Sequence, residues 1–222
     1  MMGIPVVTIG FNQHLGWTHT VSQAKRFTFY QLELDPNNPL RYRYDGEYRD
    51  MSSETVEIQV KQDDGTLEPY QRTVYFSHFG PILELSSLGA NFAWTTESAI
   101  TFRDANINNY RMLDQWLAMN KASSTEELKK GLGRIQGLPW VNTIMIDKEG
   151  NASYIDASVT PQLSATSENY WRTASRKPEF ASLWRDGAGQ VLLPGNSSAH
   201  EWLDTDGAVD SGIVPFHKAP QL

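Results

Sequence analysis

Cysteine is absent from this 222-residue sequence. Without a thiol the chain forms no disulfide, carries no thiolate nucleophile and offers no cysteine ligand to a zinc ion. Long apolar runs are absent as well, since no stretch approaches the roughly 20 apolar residues of a membrane-spanning helix. The sequence therefore predicts that the chain has no membrane partner.

An excess of positive charge is also lacking. The chain has 19 Lys and Arg against 26 Asp and Glu, which gives a formal net charge of −7. Nucleic-acid binding relies on clustered basic side chains that neutralise phosphates. The two tight basic groups, at 129–134 and 172–177, lie beside acidic residues and are typical of solvated surfaces. We therefore predict no nucleic-acid partner.

No complete set of catalytic or metal-binding side chains can be assembled from the sequence. Among the five histidines, His14 and His19 would point to opposite faces of a strand, so they cannot share a metal ion. The acidic residues Asp204, Asp206 and Asp210 lack the closing glutamate of a calcium loop. We predict no metal, no cofactor and a structural, hydrogen-bonded role for each histidine.

Strand patterns dominate the first hundred residues. Tyr30, Leu32 and Leu34 occupy alternate positions, which predicts a strand with one buried face. The run 56–60 alternates in the same way and predicts a half-buried strand, and the turn at 63–65 joins it to a second strand. Residues 5–34 as a whole are predicted to form two or three strands, and further strands are predicted at 70–76, 79–83, 91–94, 100–103, 141–147 and 152–156.

Two helices are predicted directly after the first hundred residues. Asn108 or Asn109 can cap the first, whose apolar residues follow a 3.6-residue period from Tyr110 onward. Ser124 and Glu127 form a capping box at the start of the second. The fold class is therefore α+β, with a mainly antiparallel sheet and two or more helices.

Residues 159–222 are richer in turn-forming residues, and a short helix at 178–183 is the regular element expected there. Seven Trp, nine Tyr and nine Phe form a large aromatic complement. Such rings build cores and also line binding sites. Composition and periodicity leave one non-enzymatic alternative open, a β-rich binding module that uses surface aromatics to hold a ligand such as a glycan.

Several short motifs occur in a fixed order along the chain. The first is the strand-rich segment from Pro5 to Val21, with the sequence PVVTIGFNQHLGWTHTV. The later motifs are Phe79-Gly80-Pro81, Arg103-Asp104-Ala105-Asn106, Gln115-Trp116, the 136–143 segment QGLPWVNT and the 147–154 segment DKEGNASY. In this order they resemble the β-subunit of the penicillin-acylase family of N-terminal-nucleophile hydrolases, and within it the acyl-homoserine-lactone and aculeacin-type acylases.

The resemblance implies a four-layered αββα fold and hydrolysis of the amide bond in a small N-acyl substrate, such as an acyl-homoserine lactone. It implies a serine nucleophile at the start of the β-subunit, whose own α-amino group is the base. By position, Val21 would donate its backbone N–H to the oxyanion. Thr20, Trp116, Trp140 and Val141 match positions that line the acyl pocket, where burial stabilises by roughly 0.8 kcal/mol per CH₂.

Two parts of that machinery are not found in the sequence. The family places the nucleophilic serine several dozen residues before the segment that opens this chain, and it places an asparagine donor to the oxyanion just beyond Leu222. The segment 22–26 has no acidic residue, unlike the calcium loop of the penicillin branch.

The expectation is therefore an internal fragment of a periplasmic acylase, inactive by itself. Its partners would be the N-acyl substrate, the missing α-subunit and the remainder of the β-subunit. The chain is treated as a single unit, 1–222, in which 1–158 carries the strong resemblance and 159–222 is loop-rich.

Overall fold

The computed structural model describes residues 3–88, 92–178 and 190–222, and this part of the chain contains three α-helices and twelve strands. The helices are α1 (Met112–Lys121), α2 (Thr125–Ile135) and α3 (Ala165–Ala174). The strands are β1 (Gly10–Phe11), β2 (Leu15–Val21), β3 (Phe27–Asp35), β4 (Asn38–Tyr44), β5 (Glu47–Asp50), β6 (Ser52–Lys61), β7 (Leu67–Phe76), β8 (Ile82–Leu83), β9 (Ser98–Asp104), β10 (Val141–Asp147), β11 (Ala152–Ile155) and β12 (Gln190–Pro194).

The first sheet has the order β1-β2-β10-β11, and all of its pairs are antiparallel. Alternate side chains of a strand point to opposite faces, and Leu15 and Trp17 of β2 therefore share one buried face. They belong to a core cluster with Met145 of β10, Trp116 of α1 and Leu132 of α2. The two helices thus cover one face of this sheet.

The second sheet has the order β5-β4-β3-β9-β8, and β12 adds to β3 in parallel. Tyr30, Leu32 and Leu34 are each at most 2% exposed and pack with Leu193 of β12, which confirms the predicted buried face. The predicted α+β class, with a mainly antiparallel sheet and two or more helices, is confirmed as well.

The strands β6 and β7 form a two-stranded sheet of their own over ten residue pairs. The exposed fractions of Val56, Ile58 and Val60 are 44%, 53% and 38%. The prediction of a strand here is confirmed, but the prediction that it is half-buried is wrong. Alternation shows that these side chains share a face, and it carries no information on whether another element covers that face.

The capping box of α2 forms as predicted. The Ser124 hydroxyl oxygen accepts the backbone N–H of Glu127 at 3.1 Å. The Glu127 carboxylate in turn accepts the backbone N–H of Ser123 at 2.8 Å. These bonds satisfy donors that the first helical turn cannot pair internally.

The start of α1 differs from the prediction. The helix begins at Met112, and its N-cap residue Arg111 makes no side-chain cap hydrogen bond. Asn109 is not the N-cap residue: its side-chain oxygen accepts the backbone N–H of Arg111 at 3.3 Å, one residue before the helix, and its amide N–H donates to the carbonyl of Gly137 at 3.0 Å. Asn108 lies in the turn before it. Asn109 therefore ties the segment before the helix to the loop before β10.

The described part of the segment 159–222 contains more regular structure than predicted, namely α3 and β12. The helix α3 is capped by the Ser164 hydroxyl, and its buried positions are the small residues Ser167 and Ala174, which give only a weak apolar period. The strand predicted at 91–94 is not found over 92–94, and residue 91 lies outside the described residues, as does most of the helix predicted at 178–183. Within the described ranges, no helix has the length and apolarity to cross a membrane.

Candidate functional site

The end of β2 and the start of β10 bring together four of the five residues that the sequence singles out. Val21 pairs with Val141, and Thr20 pairs with Asn142. The next residue along β2, Ser22, donates its backbone N–H to the carbonyl of Trp140 at 2.9 Å. Thr20, Val21, Trp140 and Val141 are therefore neighbours at one strand end.

The register of this pair decides where the backbone N–H of Val21 points. Ser22 bonds to Trp140 at one end of the pair, and Lys148 donates to the carbonyl of His14 at 2.9 Å at the other. In an antiparallel pair, residues alternate between bonding toward the partner and pointing away from it. The even-numbered residues of β2 thus bond toward β10, and the N–H of Val21 points to the opposite edge.

That opposite edge is open beside Val21 in the part of the chain that the structure describes. The neighbouring strand on this side, β1, pairs only with Gly16 and Trp17. The two residues of β1 are too few to reach the end of β2. The Val21 N–H is therefore available to an acceptor that approaches the edge, beside a side chain that is 58% exposed.

Asn142 fixes the conformation of Thr20. The Thr20 hydroxyl donates to the Asn142 side-chain oxygen Oδ1 at 2.5 Å, and the Thr20 backbone N–H donates to the same oxygen at 3.2 Å. Asn142 is 9% exposed, so this amide oxygen lies in a site where an unpaired acceptor would be costly. The role of Asn142 is not predicted from the sequence, because the strand register that pairs it with Thr20 cannot be read from composition or periodicity.

The two tryptophans of the site differ in exposure. Trp140 is 46% exposed and lies directly before β10, where it can present its ring to a ligand. Trp116 is 4% exposed and packs in the core cluster beneath the sheet, with Val141 against that cluster. The structure therefore brings Trp116 to the site from behind the sheet, through the side chain of His19.

His19 joins Trp116 to the strand end. Its ring nitrogen Nε2 accepts the indole N–H of Trp116 at 3.0 Å. Its Nδ1 lies 3.0 Å from the carbonyl oxygen of Asn142 and 3.2 Å from the hydroxyl of Thr143. Burial lowers the pKa of His19, and the bond to the Asn142 carbonyl opposes that shift only in part. The predicted structural, hydrogen-bonded role holds for this histidine.

A serine cluster lies next to Val21. Ser22 is fully buried, and its hydroxyl donates to the Asp156 carboxylate at 2.6 Å. The hydroxyl of Ser158 donates to the other oxygen of Asp156 at 2.6 Å. Ser22 also accepts the backbone N–H of Ala24 at 3.0 Å. A buried hydroxyl with these partners fixes the turn after β2 and offers no accessible nucleophile.

The acidic residues form no comparable centre. Asp204 accepts the Ser211 hydroxyl and the backbone N–H of Gly212, whereas Asp210 pairs with Arg111 at 2.7 Å. Across the described ranges, no group of three or more His, Asp or Glu side chains is arranged to hold a metal ion. The carboxylates of Asp204 and Asp210 are thus already paired with other groups of the protein.

The sequence of this chain is similar to known proteins over nearly its whole length. The family model for penicillin amidase matches residues 1–222, and the chain belongs to this family. Among its relatives, the acyl-homoserine lactone acylase PvdQ of Pseudomonas fluorescens strain Pf0-1 is 41% identical over 220 residues, which cover 99% of this chain and 27% of that protein. The aculeacin-A acylase of Actinoplanes utahensis is 35% identical over 216 residues, 97% of this chain and 26% of that protein.

The fold agrees with a solved structure of the same family. A thermostable penicillin G acylase from Alcaligenes faecalis superposes with a TM-score of 0.73 at 21% identity, over 100% of this chain and 33% of that one. These comparisons confirm the predicted resemblance to penicillin acylases and to the acyl-homoserine-lactone and aculeacin-type acylases. The chain spans about a quarter of the length of the curated relatives named above.

Proposed function

We propose that this chain is the oxyanion-binding and acyl-binding part of an amide hydrolase that removes an acyl chain from a small N-acyl substrate. The observation that carries the proposal is the position of the Val21 N–H at an open strand edge, beside Thr20, Trp140 and Val141. An N–H held by a sheet is a fixed dipole, and it stabilises negative charge without reorganising.

In this proposal a serine outside the 222 residues attacks the substrate carbonyl through its hydroxyl oxygen, and the hydroxyl proton passes to the α-amino group of the same serine. The carbonyl oxygen becomes an oxyanion and accepts the Val21 N–H, the C–N bond breaks, and the amine leaves with a proton from the α-amino group of the serine. Water then hydrolyses the acyl ester and returns the serine. Because the nucleophile lies elsewhere, the 222 residues alone are proposed to be inactive.

The acyl chain of the substrate is proposed to lie against the apolar side chains at the strand end. Val21 and Trp140 are 58% and 46% exposed, and Val141 is half-buried, so they leave apolar surface for a ligand to cover. Covering that surface favours long acyl chains, by about 0.8 kcal/mol per CH₂. An acyl-homoserine lactone or an acylated peptide is the proposed substrate class, since relatives carry those names.

We further propose a cellular location and a biological role for the protein. The resemblance to this acylase branch supports a periplasmic protein, and cell fractionation with an antibody against the chain tests that placement. Hydrolysis of an acyl-homoserine lactone would remove a quorum-sensing signal.

The experiment compares the complete gene product that contains these residues with the 222-residue chain alone. Each is incubated with acyl-homoserine lactones of increasing acyl length, and the free amine is measured with an amine-reactive dye. We expect turnover by the complete product, rising with acyl length, and none by the chain alone. If the complete product releases no amine from any of these substrates or from an acylated peptide, the proposal is wrong.

A further inference from the structure

We propose that His19 is a positioning residue that couples the buried indole of Trp116 to the strand end, so that the fit of the acyl chain controls the geometry around Val21. This inference rests on the proposed acylase function. From the sequence alone, His19 is expected to have only a structural role.

The hydrogen bonds determine which nitrogen of His19 carries the proton. The indole N–H of Trp116 can only donate, so the Nε2 that it contacts at 3.0 Å must accept and carries no proton. The proton of the neutral ring is then on Nδ1, which donates to the Asn142 carbonyl at 3.0 Å. Both ring nitrogens are therefore engaged, and His19 is not free to act as a general base.

The ring of His19 bridges two layers of the molecule. It extends from β2 to the face that α1 covers, and its plane meets the Trp116 ring edge-on, with centroids 6.0 Å apart. Trp116 is 4% exposed, so water has little access to its N–H. A histidine is well suited to this position because it accepts from the indole on one side and donates to a strand carbonyl on the other.

Asn142 links His19 to Thr20 through hydrogen bonds. Its backbone carbonyl receives the proton of His19, and its side-chain oxygen receives both the hydroxyl and the backbone N–H of Thr20. Thr20 directly precedes Val21. An acyl chain that fits poorly against Val141, which packs on the cluster that holds Trp116, would shift the indole. That shift would pass through His19 and Asn142 to the residue beside the oxyanion donor.

The consequence is a link between substrate length and catalytic rate. A side chain that only packs would change the stability of the protein and affect all substrates alike. A positioning residue makes the turnover number depend on how the acyl chain seats against Val141 and so on the position of Trp116 behind it. Because positioning errors of about 1 Å can cost on the order of 100-fold in rate, this dependence is measurable.

The test uses the complete gene product with His19→Phe, which keeps an aromatic ring and removes both nitrogens. His19→Gln is the conservative variant, since its amide can accept at one end and donate at the other. His14→Gln is the control, because His14 lies just before β2, at the end of the strand remote from Val21, where its ring contacts Gln13. For each variant, kcat and KM are measured with an acetyl and a long-chain acyl-homoserine lactone.

We expect His19→Phe to lower kcat for the long-chain substrate by roughly tenfold or more beyond its effect on the acetyl substrate, and His19→Gln to restore a large part of that difference. The double variant His19→Phe/Trp116→Phe should have a kcat little lower than that of either single variant, because both substitutions remove the same hydrogen bond. An equal loss with both substrates, or additive losses in the double variant, would overturn the inference.

The hydrogen bond itself is tested without activity. In the ¹⁵N–¹H spectrum of the protein, the indole signal that disappears in Trp116→Phe belongs to Trp116. We expect that signal to move upfield in His19→Phe and to stay near its place in His14→Gln. If it does not move in His19→Phe, the coupling is wrong whatever the enzyme acts on. If it moves but no N-acyl substrate is cleaved, the bond stands and the proposed acylase function fails.

Discussion

Asp147 lies at the end of β10 that is remote from the candidate site, and it is 5% exposed. Its carboxylate accepts the backbone N–H and the hydroxyl of Thr125 at 3.3 and 2.9 Å, and the backbone N–H of Asn151 at 2.9 Å. Burial by itself would raise the pKa of Asp147, but the bonds from Asn151 and Thr125 outweigh it and lower the pKa to about 2. One charged residue therefore holds the start of α2 against the sheet.

This arrangement predicts a pH-dependent contribution to stability. A carboxyl whose pKa is lower in the folded than in the unfolded protein stabilises the fold above its ordinary value of 3.8, and the effect disappears as the pH falls toward about 2. We expect Asp147→Asn to lower the free energy of unfolding at pH 7, with the difference from the wild type shrinking below pH 3.8. Urea denaturation across this range measures it.

Asp63 provides the control for that measurement. It lies in the exposed turn between β6 and β7. Asp63→Asn removes the same charge from the chain without touching a buried hydrogen-bond network, so its unfolding free energy should stay close to that of the wild type. If both variants lose the same amount at pH 7, net charge and not the Asp147 network is responsible.

At the same scale, the sequence locates Val21, Thr20, Trp140 and Val141 through a resemblance, and chemistry alone does not single them out. The atom of Val21 that we propose to act is a backbone N–H, which every residue except proline possesses. Its value depends on register and on an open edge, neither of which is visible in residue types. Asn142 was missed for the same reason.

At the scale of elements, the loop between α2 and β10 approaches α1 closely at Gly137. A Cβ on Gly137 would lie 2.6 Å from the carbonyl oxygen of Arg111, which is well inside ordinary contact. The Gly137 N–H donates to Gln115 at 3.1 Å, so the loop is held in this position. This loop leads into Trp140 and the first residues of β10.

We therefore expect Gly137→Ala to destabilise the protein by about 1–3 kcal/mol, the usual cost of forcing extra atoms into a packed site. Gly131 in α2 is the matched comparison, because a Cβ there meets only Ala118, at 3.9 Å. Gly131→Ala should stabilise by about 1 kcal/mol, since alanine favours a helix interior. Thermal or urea unfolding of the two variants measures both signs; equal effects would contradict this packing account.

Local signals predict elements well where they act within a few residues, as the Ser124 capping box shows. Local signals fail where contacts with distant parts of the chain determine the conformation. Asn109 has the chemistry of a helix cap, but the helix begins at Met112, and Asn109 instead bonds to the backbone N–H of Arg111 and to the carbonyl of Gly137, which the fold brings close. The helix α3 was missed because Ser167 and Ala174, its buried positions, are too small and polar to mark an apolar face.

At the scale of the whole molecule, helices or other strands pack on the two main sheets, whereas over the described residues no other element covers most of the β6–β7 hairpin. Its strands are exposed along nearly their whole length. An isolated two-stranded hairpin is marginally stable in water. We expect amide hydrogen exchange in the 222-residue chain to be much faster over 54–74 than over β3 or β10.

The comparison region for that measurement is the 27–33 stretch of β3, which bonds to β9 on one side and to β12 on the other. Mass spectrometry of peptides from the two regions gives both rates in one experiment. Equal protection of the hairpin and of β3 would mean that something covers or stabilises the hairpin in solution.

The central claim joins all three scales: a backbone N–H, held by the register of β2 and β10, serves an acylase site. The direct measurement is kcat of the complete gene product carrying Val21→Pro or Val21→Ala. Proline removes the N–H at a position that points away from β10, where the ladder does not need it. Alanine keeps the N–H, and unfolding temperatures of both variants check that the fold survives.

The account predicts that Val21→Pro lowers kcat by about 100- to 1000-fold, the cost of one oxyanion donor, whereas Val21→Ala lowers it by less than roughly tenfold. A folded Val21→Pro variant that turns over substrate as fast as Val21→Ala would contradict the account, because the N–H of Val21 would then have no part in catalysis.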